Sequence, residues 1–87
     1  MKAVVTVIGN DMVGILAKVS AAIAEKNASV VEMTQSVLDG YFCMIMVINI
    51  EELTCSLDEL QSYIKEKGED MVVHVMHENI FNSMHRI

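Results

Sequence analysis

Val4-Val5-Thr6-Val7-Ile8-Gly9-Asn10-Asp11-Met12-Val13-Gly14-Ile15 changes its periodicity halfway along. The opening β-branched run suits a pleated strand. From Ile15 onward the apolar residues recur at Val19, Ala22 and Ile23, which is the spacing of one helix face. Between the two patterns the chain must turn, with Asp11 placed to cap the helix and Gly14 in its first turn. A strand that feeds a helix through a short turn leaves backbone N–H groups at the helix start without intrahelical acceptors. Such a turn favours a small anion, for instance the carboxylate of an amino acid. The plainer reading makes Asp11 a cap and Gly14 a concession to close helix–sheet packing, with no ligand.

Outward from this stretch, residues 2–9 read as the first strand, and the helix runs to about Lys26 with Asn27 as its stop. Residues 28–38 and 41–50 read as two strands joined by Asp39-Gly40, the favoured chemistry of a tight hairpin turn. Ser56-Leu57-Asp58-Glu59 is a capping box, with Cys55 and Leu60 at the flanking staple positions. Leu57, Leu60 and Ile64 form that helix's apolar stripe, and Gly68 closes it. Residues 71–76 are a fourth strand. Ile80, Met84 and Ile87 repeat at helical spacing in a short tail. The order βαββαβ predicts an α+β, ferredoxin-like fold: a four-stranded antiparallel sheet with both helices on one face and a C-terminal helical tail. With no Pro, linker or low-complexity stretch, residues 1–87 form a single domain.

The third strand decides what the other face must meet. Phe42, Met44, Met46 and Ile48 point one way, and Tyr41, Cys43, Ile45 and Val47 the other. A strand apolar on both sides is buried on both. Since the helices cover one face, the tail, a second subunit or both must cover the other. The hydrophobic share of 53% is high for so small a domain and points the same way. The expectation is a homo-oligomer, at least a dimer.

A net charge of −6 with scattered cations disfavours nucleic acid. The apolar run from Tyr41 to Ile48 is too short for a transmembrane helix, and Met1-Lys2 leads into the first strand with no cleavage site. The expected setting is therefore cytoplasmic, without membrane contact, and Cys43 and Cys55 are expected as free thiols. His74 and His77, three apart on a strand, face opposite sides and cannot share a metal ion. Cys43 lies mid-strand without a base nearby in sequence, and Glu51-Glu52 and Glu69-Asp70 read as solvated loop edges. The methionines Met44 and Met46 fill a core or an interface. No catalytic residue, metal ligand or cofactor is expected.

The strand ending in Gly9, the Asp11-x-x-Gly14-Ile15 opening of the helix and the element order together resemble the ACT domain over essentially the whole chain. Asp39-Gly40-Tyr41-Phe42 and the ending Ile80-Phe81-x-x-Met84-His85-Arg86-Ile87 are similar to small stand-alone ACT proteins, which are related to the N-terminal ACT domain of formyltetrahydrofolate deformylase. The resemblance implies a regulatory, non-enzymatic module that binds an amino acid or similar metabolite at a subunit interface. It implies that Asn10, Asp11, Met12, Val13, Gly14 and Ile15 hold the ligand. A second strand from the partner subunit, around Glu32 to Ser36 and centred on Met33, Thr34 and Gln35, completes the pocket. Met12 stands where related proteins often carry a basic residue, which argues against a strongly anionic ligand. Without an attached enzyme, regulation would act through a partner protein or a change of assembly. The alternative is a structural, oligomerising subunit with no ligand.

Overall fold

The computed structural model describes residues 1–10, 12–68 and 71–84, and of Met12 and Met84 the backbone. The Asp11 cap, the Glu69-Asp70 pair and the ending His85-Arg86-Ile87 lie outside the described residues. The elements are β1 (Lys2–Gly9), α1 (Met12–Glu25), β2 (Ser29–Leu38), β3 (Tyr41–Asn49), α2 (Leu57–Glu66), β4 (Val72–His77) and α3 (Glu78–Met84). The strands form one antiparallel sheet in the order β2-β3-β1-β4. This is the ferredoxin-like arrangement that the element order predicts.

Each junction has a local cause. Asn27, in the left-handed region at φ 61°, ends α1. Its N–H donates to the Ala24 carbonyl at 3.0 Å, and the Ala28 N–H donates to the Ile23 carbonyl at 3.1 Å. Those two bonds satisfy carbonyls that the helix end would otherwise leave open. Asp39 at φ 51° and Gly40 at φ 82° make the β2–β3 turn, whose positive torsions match the twist of the flanking strands. Ser56 caps α2 by accepting from the Glu59 N–H at 3.1 Å, and its hydroxyl donates to the Glu59 carboxylate at 3.1 Å. The reciprocal bond of the box thus runs between the two side chains.

Gly68 does not close α2 through a left-handed turn. The helix ends at Lys67 in ordinary right-handed torsions, tightened by bonds from Lys67 N–H to Ile64 and from Gly68 N–H to Lys65. Glycine at 68 serves packing instead: a Cβ there would stand 2.9 Å from the Met71 Cε, and Met71 is buried.

The core lies between the sheet and the two longer helices. Ala3, Val5 and Val7 of β1, Phe42, Met44, Met46 and Ile48 of β3, and Val73 and Val75 of β4 meet Ile15, Val19, Ala22 and Ile23 of α1 and Leu60 and Ile64 of α2. Leu57 is only partly buried and packs at the edge of this cluster. On the opposite face of β3, Cys43, Ile45 and Val47 are half-buried and Tyr41 is exposed. The tail helix α3 contacts β1 and β4 there, with Phe81 lining hollows beside Thr6 and His74 and beside Ile45 and Val47. Ile80 stays 55% exposed, so Phe81 rather than the Ile80 stripe turns α3 toward the sheet. The second face of β3 is therefore covered only in part by its own chain.

Candidate functional site

Gly9, the last residue of β1, is buried, whereas Asn10 is exposed and Val13 is 74% exposed on the opening turn of α1. Ile15, 4% exposed, anchors that turn in the core one residue beyond Gly14. The first-turn candidates thus divide into an outward lip of Asn10 and Val13 and an inward anchor of Ile15. Asp11 and the Met12 side chain lie outside the described residues.

The strand register fixes the end of the sheet that this lip occupies. Gly9 stands opposite Phe42, and Phe42 opposite Val37, so the β1 terminus and the β2–β3 turn share one end of the sheet. Ile8, Val37, Leu38, Tyr41 and Val72 all lie at that end and all are exposed. Ile8, Leu38, Tyr41 and Val72 alternate onto the face away from the helices and Val37 onto the helix face, so this end of the sheet shows apolar side chains on both sides.

Met33, Thr34 and Gln35 lie elsewhere. They pair with Met46, Ile45 and Met44, which pair in turn with Val5, Thr6 and Val7. They are therefore level with the middle of β1, two strand spacings or about 10 Å to its side. Within one chain β3 lies between β1, which leads into the first turn, and these three residues of β2. All ten residues of β2 are exposed.

Other hollows went unread in the sequence. A groove of about 370 Å³ runs along α2, lined by Lys26, Cys55, Asp58, Glu59, Ser62, Tyr63 and Glu66. There Lys26 Nζ and Lys67 Nζ lie 4.3 and 4.5 Å from the Tyr63 ring centroid, and the Tyr63 hydroxyl donates to Glu25 Oε1 at 2.8 Å. The hydrogen-bonding Tyr63 side chain, foremost, holds the Lys67 ammonium above its ordinary range against a lesser desolvation, and Glu25 and Glu66 add to this. Beneath α3 a mostly apolar hollow of about 440 Å³ is lined by Thr6, Gln61, His74, Val75, Met76, Ile80 and Phe81. These groupings join residues from distant elements, so spacing along the chain carried no sign of them.

His74 is exposed opposite Thr6, while His77 accepts the Asn79 N–H on Nδ1 at 3.1 Å. Among the described residues no three His, Cys, Asp or Glu side chains gather as a metal site, and no helix is long and apolar enough to cross a membrane.

Comparison with known proteins draws these features together. The family model described as "ACT domain" matches residues 2–78. A UPF0237 protein of Listeria monocytogenes is 46% identical over the full length of both chains. Another from Methanopyrus kandleri is 39% identical over 99% of this chain and 98% of its own. Among solved structures, an ACT domain protein from Streptococcus pneumoniae superposes with a TM-score of 0.79 at 34% identity, covering 93% of each chain. A formyltetrahydrofolate deformylase from Pseudomonas syringae matches with a TM-score of 0.71 at 28% identity, over 87% of this chain and 27% of its own.

Proposed function

This chain belongs to the ACT domain family, and from that premise we propose that it is a non-catalytic module binding an amino acid or similar metabolite between two copies of itself. The first turn of one copy, from Asn10 to Ile15, supplies helix-start amides for a carboxylate. The partner's β2, around Met33, Thr34 and Gln35, supplies strand carbonyls and an amide side chain for the ammonium end. The observation that carries this reading is the placement of β3 between the two halves, beside a β2 exposed along all ten residues. Within one chain β3 lies between the halves, and the reading gives the second half to a partner copy. Regulation then acts through a change of assembly or through a partner protein that reads it.

Titration calorimetry against the twenty amino acids tests this directly. Heat from one or a few of them at millimolar concentration, with a matching rise in melting temperature, is the expected result. Absence of both for all twenty overturns it. The same exposed β2 edge favours a second reading, a purely structural oligomer with no ligand. That reading predicts a dimer whose melting temperature no amino acid moves.

A further inference from the structure

A four-stranded sheet has two edges, and this one treats them differently. In a two-residue hairpin the residues flanking the turn exchange both ladder bonds, so Leu38 bonds to Tyr41 and every second residue back along β2 bonds to β3. Met33, Gln35 and Val37 are left with N–H and C=O groups facing outward, and no residue of β2 is shielded. Carried through β3 and β1, the same alternation sends the main-chain groups of Val73, Val75 and His77 outward from β4. At Val75, the middle one, the N–H donates to Gln61 Oε1 at 2.8 Å. Gln61 sits on α2 beside the fully buried Leu60, so its backbone is fixed against the core.

We propose that Gln61 closes the β4 edge to strand addition, so that lateral docking of a second copy is directed to β2. An antiparallel strand arriving at β4 needs the Val75 N–H and C=O as a pair, in a lane about 4.8 Å wide. Gln61 already holds the donor and occupies that lane. At β2 the same approach meets an edge that no other strand pairs among the described residues, and one that is self-complementary. Two-fold antiparallel pairing about Gln35 sets Met33 against the other copy's Val37 and Glu32, the one charged residue of β2, against Leu38, which keeps the two carboxylates apart. Two open edges would let copies add without end; one closed edge leaves an isologous pair that stops. This inference shares the second copy with the proposed function and does not rest on a ligand.

The test is the Gln61→Ala substitution, read by sedimentation velocity over a concentration series with far-UV circular dichroism as the check on folding. The wild type is expected to keep one mass. Gln61→Ala is expected to grow with concentration to at least double that mass, and Gln61→Glu, which keeps an acceptor, to stay at the wild-type value. A folded Gln61→Ala of unchanged mass overturns the proposal. Should that variant not fold, amide exchange in the wild type decides: Val75 is expected to be protected roughly a hundredfold or more, and exchange at the unprotected rate overturns the proposal. A monomeric wild type overturns the docking at β2 together with the two-copy function, whereas a wild-type pair that no amino acid stabilises sinks the ligand reading alone.

Discussion

Ser56 and Gly40 show how single residues hold the elements that position the site. The Ser56 hydroxyl satisfies the Glu59 N–H and donates to the Glu59 carboxylate. Ser56→Ala removes both bonds and should cost about 1 kcal/mol of folding free energy, measured by urea denaturation. Gly40 has nothing within 4 Å of a would-be Cβ, so any cost of Gly40→Ala comes from backbone conformation at φ +82°. That cost should be about 1–2 kcal/mol, with no change in the packing of the core. Gly68 is the opposite case: its torsion is ordinary, and a Cβ there would meet the flexible end of the Met71 side chain, which would have to shift. Its position after a helix reads as a left-handed stop, and only the Met71 side chain folded over it shows otherwise.

At the scale of elements, the strands were legible because their patterns are local. The two-faced apolarity of Tyr41 to Ile48 marks a central strand, and β3 sits between β1 and β2 with Phe42, Met44, Met46 and Ile48 in the core. Asp39-Gly40 marks the hairpin because few residues adopt two successive positive φ values at low cost. The exposure of β2 was not legible in the same way. Its apolar content is that of a buried strand, and only the strand order reveals that it lies at an edge with little helix above it. The same holds for the bond between Gln61 and Val75, whose partners are 14 residues apart on different elements. Of the candidate site, the first turn is readable as a strand-to-helix switch, whereas the separation of Met33, Thr34 and Gln35 from it follows from β3 alone. An edge that carries apolar Met33 and Val37 beside outward main-chain groups is a template for pairing, and lysine is the residue that blunts such edges. The double substitution Met33→Lys with Val37→Lys should therefore yield a monomer by light scattering. Because both side chains are already exposed, its circular dichroism should match the wild type.

For the whole molecule, association and ligand binding become one equilibrium if the pocket forms only where two copies meet. The candidate halves lie on opposite sides of β3, so a monomer offers a ligand only part of the contacts that a pair offers. By linkage, whatever factor the ligand adds to the affinity of one copy for another, association adds to the affinity for the ligand. An amino acid that favours the pair tenfold corresponds to about 1.4 kcal/mol of coupling, well within the range of known cooperative sites. Two measurements should then agree. Sedimentation with saturating amino acid should show the pair persisting to lower protein concentration than without it. Calorimetry repeated at falling protein concentration should show the apparent affinity weakening once the pair dissociates. The Met33→Lys, Val37→Lys monomer should lose most of the heat although its first turn is intact. If that monomer binds as tightly as the wild type, the pocket belongs to a single chain, and β2 serves assembly alone.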